Sequence, residues 1–381
     1  MFPSFAEKAL NLASEKALKR TLRPVHRVSS RECVIGGKRF LDFSSNDYLG
    51  FSVREEVKAG AIRWTEKYGA GSGAARLISG TSEACLELEQ RIASWKGFES
   101  ALIVGSGYMA NLGVVESLAR RSSAVFADKL NHASLNRGCT LSQAHFLRYR
   151  HCDMEQLKLL AERDPFPEGL LTSDTVFSMD GDIAPLEELS RIAAAHSLVL
   201  YLDDAHGSGV FGTHGKGLAG PENCDLALTT FSKALGSYGG AVCCSARMKE
   251  YLIQSCAPFI FSTALPPAAL GATEAALDLL MQEETDALRE RLLQMSAHVR
   301  DELKSMGYET GASRSMVIPV IIGDADKTLR FSASLSENGI YALAVRPPTV
   351  PAGTSRIRLS LNASHTDMDL EKLLEVFRRL A

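Results

Sequence analysis

The chain has 381 residues, of which 45% are hydrophobic and 23% charged, ordinary proportions for a globular protein. Lys and Arg number 42 against 45 Asp and Glu, giving a formal net charge of -3, so bulk charge drives binding to neither nucleic acid nor a membrane surface. At roughly 150 residues per domain, the length suits two or three domains, or one large α/β domain with an appendage. No run of about 18 apolar residues occurs, which excludes a spanning helix. The charged N-terminal stretch MFPSFAEKALNLASEKALKR lacks the apolar centre of a secretory signal. Eight scattered cysteines, with no CxxC pair, predict reduced, mostly buried thiols in a cytoplasmic protein and no metal site.

In chain order, residues 5–22 read as an amphipathic helix stopped by Pro24, and a strand pair follows around Cys33–Phe43 with Gly36 and Gly37 at the turn. From about residue 82, helices and short apolar strands alternate. Helix 83–95 leads to strand 100–104, helix 108–119 to strand 124–127, helix 153–163 to strand 170–177, and helix 185–195 to strand 198–202. Strands 226–230 and 240–244 come next. Continuous apolar strands such as LVLYL suit a sheet covered on both faces, and the alternation predicts a mainly parallel one. Pro266 and Pro267 open a long helical stretch to about Leu303. Strand 315–321, helix 325–337, strands 340–345 and 355–361 and helix 366–379 then form a smaller α+β unit.

Three motif-like runs lack the context their chemistry needs. Gly69, Gly71 and Ala74 match a relaxed dinucleotide fingerprint, but WTEKY before them completes a helix rather than a strand. GVFGTHGKG is spaced one residue too long for a phosphate loop and places Gly217 where Ser or Thr would bind magnesium. The TFSK run has no KTG partner for serine-acylase chemistry.

Three other segments fall at C-terminal strand ends, where open α/β sheets bind ligands. Strand 198–202 runs into Asp203 and Asp204, followed by His206. A carboxylate there is a helix cap, a turn residue, or the partner of a cationic ring nitrogen. Lys233 follows strand 226–230 among small residues. A lysine after a strand is ordinarily solvated, but a desolvated one has a depressed pKa and reacts with carbonyls. At Gly105–Tyr108 the chain turns from strand to helix, and free amides at a helix start suit a phosphate. A carboxylate, a lysine and an anion cradle along one sheet edge form the protein half of pyridoxal phosphate (PLP) chemistry.

The runs FSSNDYLG, GAGSGAARLISGT, HASL, VFSMDGDIAPL, DDAHGSGVFG, TFSKALGSYGG and RPPTVPAGTSRIRLSLNASHT carry a further signal. Through them the sequence resembles the α-oxoamine synthases, PLP enzymes of the aspartate-aminotransferase-like fold, along essentially its whole length. The resemblance implies an α/β large domain with a mainly parallel seven-stranded sheet, a small C-terminal α+β domain and an N-terminal helical segment. The expected boundaries are 1–45, 46–285 and 286–381. It also implies a homodimer acting on small molecules, each site completed by the neighbour's loop around Gly71–Ala75.

By the same resemblance, Lys233 carries the cofactor and later acts as base, Asp203 pairs with the ring nitrogen, His206 meets the phenolic oxygen, and His132 stacks on the ring. Gly107, Tyr108, Ser178 and Thr230 complete the cofactor contacts, Thr230 towards the phosphate. Arg358 grips the amino-acid carboxylate with Asn46 beside it, while Arg20 and Thr349 touch the acyl-CoA. Arg356 and Arg358 share a strand face, so one of them is expected to be a surface charge. The implied reaction is decarboxylative condensation of an amino acid with an acyl thioester. SMDGD, DDAHG and RPPTVP look most like the biotin-pathway branch, which joins L-alanine to a pimeloyl group on CoA or a carrier protein. Arg76 stands where that branch carries a small residue and other branches carry Arg. The alternative is therefore a sibling that uses glycine and another acyl-CoA.

Overall fold

A computed structural model describes residues 2–163, 166 and 168–381. One body of the chain comprises Leu49–Ser178 and Ile183–Arg289. Its seven strands lie in the order Ser100–Val104, Gly240–Cys244, Leu226–Thr230, Leu198–Asp203, Gly169–Asp174, Ala124–Asp128, His145–Tyr149. Only Gly240–Cys244 runs against its neighbours; every other pairing is parallel. This is the mainly parallel seven-stranded sheet that the family resemblance implies; the residue patterns alone locate six of its strands. Four of the strands are buried at every position, because helices cover both faces.

Register aligns the functional edge. Gly240 lies opposite both Thr230 and Val104, and Asp203 lies opposite Asp174. The C-terminal ends of the parallel strands therefore present Thr230, Asp203, Asp174 and Asp128 side by side. Strand Gly169–Asp174 stops three residues before the expected Phe177: the Thr175 amide completes the ladder on the Asp203 carbonyl at 2.8 Å, and Val176 beyond it pairs with Ile183 instead.

Among the elements of this body that escaped the sequence reading are helix Ala133–Leu141, strand His145–Tyr149, helix Ala246–Ser255 and the short helix Ala257–Ile260. The first buries Ser134, Leu135, Gly138 and Cys139, mostly small residues, so it shows little hydrophobic periodicity. Close approach is its packing mode, as a Cβ on Gly138 would sit 2.9 Å from Val115 Cβ. The expected long helix is two helices, Pro267–Leu280 and Glu283–Ser305. The second starts afresh with Glu283, Glu284 and Asp286, acids that favour a helix N-terminus.

A second body comprises residues up to Tyr48, Met179–Asp182 and Glu290–Ala381. The predicted hairpin forms from Glu32–Ile35 and Lys38–Asp42, with Gly36 and Gly37 at positive φ. Lys38–Asp42 also pairs in parallel with Ile340–Tyr341, which ties the N-terminal strands to C-terminal sequence. The expected strand 340–345 is thus split, because Ala344–Val345 joins Ser355–Ser360 and Val317–Gly323 in a separate sheet. The N-terminal helix spans Ser4–Glu15 and buries no residue. It ends seven residues short of Leu22, where the chain turns at Ala17 with φ 53°.

His365 sits in this second core, stacked on Phe43 at 4.2 Å between ring centroids, with Nδ1 accepting the Asn362 amide at 3.0 Å. Burial lowers its pKa to about 4, partly opposed by Asp369. The folded state thus keeps His365 neutral where the unfolded chain protonates it. Stability is full above the ordinary histidine pKa of about 6.5 and falls as pH drops towards 4. Urea unfolding at pH 7 and pH 4 should show a loss of about 3 kcal/mol that is largely absent in His365→Gln.

Candidate active site

The strand Leu198–Asp203 delivers Asp203 to the sheet edge, where it is 5% exposed. Its Oδ1 accepts the Ala205 amide at 3.0 Å and its Oδ2 accepts Asn111 Nδ2 at 2.6 Å. Among the described residues no Lys or Arg forms an ion pair with it. A buried carboxylate that lacks a cation suits a cationic ligand group. Asp204, the next residue, has a different task. It points the other way and is neutralised by Lys96 Nζ at 2.6 Å, both side chains being fully buried. Thr175 Oγ1 donates to it at 2.6 Å and Ser208 Oγ at 3.0 Å, so the turn that carries buried His206 is pinned.

Lys233 lies half-buried in the turn between strands Leu226–Thr230 and Gly240–Cys244. Ala234 and Leu235 beside it are fully buried, and the Gly236 amide closes the turn on the Lys233 carbonyl at 2.9 Å. Gly236 adopts φ 65° and a Cβ there would fall 2.2 Å from the Ser52 amide nitrogen, so only glycine fits. The Lys233 charge reaches the centre of the site, where it lowers the pKa of both His132 and Asp174.

Helix Gly107–Leu118 starts at the same edge, capped by Ser106 Oγ, which accepts the Met109 amide at 3.2 Å. Helix geometry leaves the amides of Gly107 and Tyr108 without intrahelical acceptors. A Cβ on Gly107 would lie 2.4 Å from Thr230 Cγ2, so the glycine brings this cradle against buried Thr230. Tyr108 meets His132 edge-on at 6.4 Å. Both are exposed, and Ser178 is half-buried at the end of its segment.

The sequence reading missed Asp174, Asn111 and Ser134. Asp174, which is 4% exposed, accepts the His132 amide on Oδ2 at 2.7 Å and so holds the loop that presents His132. Burial raises its pKa well above the usual carboxylate range, and Asp203 alongside adds to the rise. Its signal in the sequence was an acid inside an apolar strand run, hidden because the strand was extended past it.

In the second body, Arg358 is 7% exposed and donates to Asn46 Oδ1 at 3.0 Å, which Tyr48 also approaches at 3.3 Å. Arg356 corrects an expectation. Neither arginine is a surface charge, since Arg356 is 3% exposed and ion-paired with Asp180 at 2.5 Å. Exposed Arg20 and Thr349 line a cavity of about 700 Å³ together with Lys19, Arg23 and Arg346. Arg76, back in the first body, is committed internally. It donates to Thr81 Oγ1 at 2.9 Å and pairs with buried Glu89 at 2.9 Å.

Taken by chemistry, the first body offers an uncompensated carboxylate, an amine, a helix-start anion cradle with a hydroxyl, and an imidazole. That donor set fits PLP, with its ring nitrogen, aldehyde, phosphate and flat face. Comparison with known proteins agrees. Residues 38–377 match the family model for aminotransferase class I and II. A putative 8-amino-7-oxononanoate synthase from Paramagnetospirillum magneticum is 46% identical over 363 residues, 93% of this chain and 92% of that protein. The 8-amino-7-oxononanoate synthase from Geobacter sulfurreducens is 44% identical over 96% of this chain and 95% of its own. Among solved structures, serine palmitoyltransferase from S. paucimobilis with PLP and myriocin bound superposes with TM-score 0.92, at 30% identity, over 99% of this chain and 96% of its own. The 8-amino-7-oxononanoate synthase of Francisella tularensis gives 0.78 at 29% identity over 90% and 97%. The chain belongs to the aminotransferase class I and II family and, within it, to the PLP-dependent α-oxoamine synthases.

Proposed function

We propose that the chain condenses L-alanine with a pimeloyl thioester to give 8-amino-7-oxononanoate, CO2 and the free thiol carrier. The observation that carries the chemistry is a buried Asp203 without a cationic partner, on the strand edge where the Lys233 charge acts on His132 and Asp174. The choice of substrates rests on relatives of that name at 42–46% identity over most of the chain.

PLP, when bound, supplies an aldehyde that takes the amino group and a ring that accepts the electron pair left at Cα. Asp203 keeps the ring nitrogen protonated, and its own burial is offset by that positive charge. The amides of Gly107 and Tyr108 and the Thr230 hydroxyl hold the phosphate. His206 and Ser178 bind the polar rim of the ring, and His132 covers its face. The Lys233 amine takes the α-proton and returns one after CO2 leaves. Arg358, with Asn46, holds the amino-acid carboxylate and so selects which Cα bond breaks. Arg20 and Thr349, within a cavity that also carries Lys19, Arg23 and Arg346, receive the phosphorylated acyl carrier.

The enzyme is proposed to be a cytoplasmic homodimer. Supporting the dimer, Leu77, Ile78 and Phe261 are 50%, 80% and 83% exposed beside the Gly71–Ala75 loop, which is bridged to Thr263. Such an apolar surface suits a second copy of the chain. Sedimentation at micromolar concentration tests it, and a monomer would contradict it.

Mass spectrometry of products from a matrix of small amino acids and acyl thioesters tests the substrates. Alanine with pimeloyl-CoA should release CO2 and CoA in equal amounts, whereas a strong preference for glycine would assign a sibling activity. Arg358→Lys should raise KM for alanine by about tenfold to a hundredfold, since a charged hydrogen bond worth about 1.5–3 kcal/mol is lost. An unchanged KM would remove Arg358 from the carboxylate site.

A further inference from the structure

Asn111, Ser134 and Tyr201, all at most 1% exposed, connect Asp203 to His132. Asn111 Nδ2 donates to Asp203 Oδ2 at 2.6 Å and to Ser134 Oγ at 2.8 Å. Tyr201 donates its hydroxyl to Asn111 Oδ1 at 2.7 Å. Ser134 Oγ lies 2.6 Å from His132 Nδ1, and the Ser134 amide donates to the same nitrogen at 3.4 Å.

Counting protons orients the whole chain of bonds. A carboxylate only accepts, so the Asn111 amide group must face Asp203, and both its hydrogens are used, one on Asp203 and one on Ser134. Its carbonyl oxygen then faces the Tyr201 hydroxyl, which donates to it. Ser134 Oγ accepts from Asn111 and has one hydrogen left, for His132 Nδ1. The Ser134 amide also requires an acceptor there. Nδ1 therefore carries a lone pair, and the imidazole proton sits on Nε2.

We propose that Asn111 and Ser134 are positioning residues that lock His132 as its Nε2–H tautomer, so that the face of the site carries a hydrogen-bond donor tied to the same carboxylate that serves the cofactor ring. The catalytic consequence rests on the function proposed above; the tautomer itself does not. Asp203 anchors the chain at its far end, and its charge polarises the successive bonds. A donor on Nε2 suits the thioester carbonyl oxygen, which gains negative charge as carbon attacks it.

The groups facing His132 are Asp203, Lys233 from the turn after Leu226–Thr230, Asp174 under the His132 amide, and the Tyr108 ring edge. Atoms packed around the ring lower its pKa and Lys233 lowers it further, Asp203 opposing, although much of the residue faces solvent. The imidazole is therefore neutral at pH 7.

Long-range 1H–15N correlation of the His132 ring, assigned by its loss in His132→Asn, tests the lock in apo- and holoenzyme. A pyridine-type Nδ1 and a pyrrole-type Nε2 are expected. In Ser134→Ala the two shifts should converge as tautomers mix. The acid limb of kcat/KM should move to higher pH by about half to one unit, because a hydroxyl no longer holds the lone pair of the neutral form. A protonated Nδ1 in the unaltered enzyme overturns the proposal whether or not the variant folds. An unmoved acid limb in a folded Ser134→Ala overturns the positioning role. Failure of the unaltered enzyme to release CO2 from alanine and pimeloyl-CoA would instead overturn the proposed function, with the nitrogen shifts unaffected.

Discussion

Lys233→Ala should reduce turnover by about 10²–10⁴-fold while leaving the fold intact, as expected for loss of a positioned acid–base group. The side chain is half-buried in a turn whose anchors are Ala234, Leu235 and Gly236, so truncation removes no core packing. Two measurements separate a chemical role from a structural one. Borohydride treatment followed by peptide mass spectrometry should fix the cofactor to the Lys233 peptide in the parent and leave no adduct in the variant. Denaturant midpoints should agree closely. An adduct surviving in Lys233→Ala, or turnover within tenfold of the parent, would move the reacting amine elsewhere. The change also removes a charge that lowers the pKa of Asp174 and His132, so both should titrate higher in the variant.

Lys96→Met should cost about 3–5 kcal/mol, because it leaves the Asp204 carboxylate buried without a counter-charge. Nζ and the carboxylate are both fully buried, 2.6 Å apart, and Nζ also donates to Ser208 Oγ at 3.3 Å and to the Lys216 carbonyl. The double variant Lys96→Met with Asp204→Asn removes both charges and should recover a large part of the loss. Urea unfolding of the two singles and the double completes the cycle. If the double is no more stable than Lys96→Met, the pair is not what stabilises this turn. Because Asp204 pins the turn that carries His206, the single variant should also bind PLP more weakly, read by the visible absorbance retained after gel filtration.

Much of the sheet was legible from the residues, since strands buried on both faces must be apolar throughout and LVLYL and its neighbours announce themselves. The strand-end chemistry was legible for the same reason, because a charged residue such as Asp203 or Lys233 stands out against apolar or small flanks. Elements that pack through small residues, such as Ala133–Leu141, were not, since backbone approach at Gly138 leaves no hydrophobic period. Edge strand His145–Tyr149, mostly only half covered, was lost for want of an apolar run.

Sequence alone determined which residue types stand at the strand ends, the alternation that makes the sheet parallel, and the runs that mark the family. Tertiary structure alone decided which of two adjacent acids keeps its charge unpaired. Asp203 and Asp204 are identical in type, and only the approach of Lys96, 107 and 108 positions away in the chain, neutralises the second and leaves the first for a ligand. The same holds for Asp174 beneath His132 and for Arg356 against Asp180, because hydrogen bonds and ion pairs are settled by distances that folding creates between residues remote in sequence.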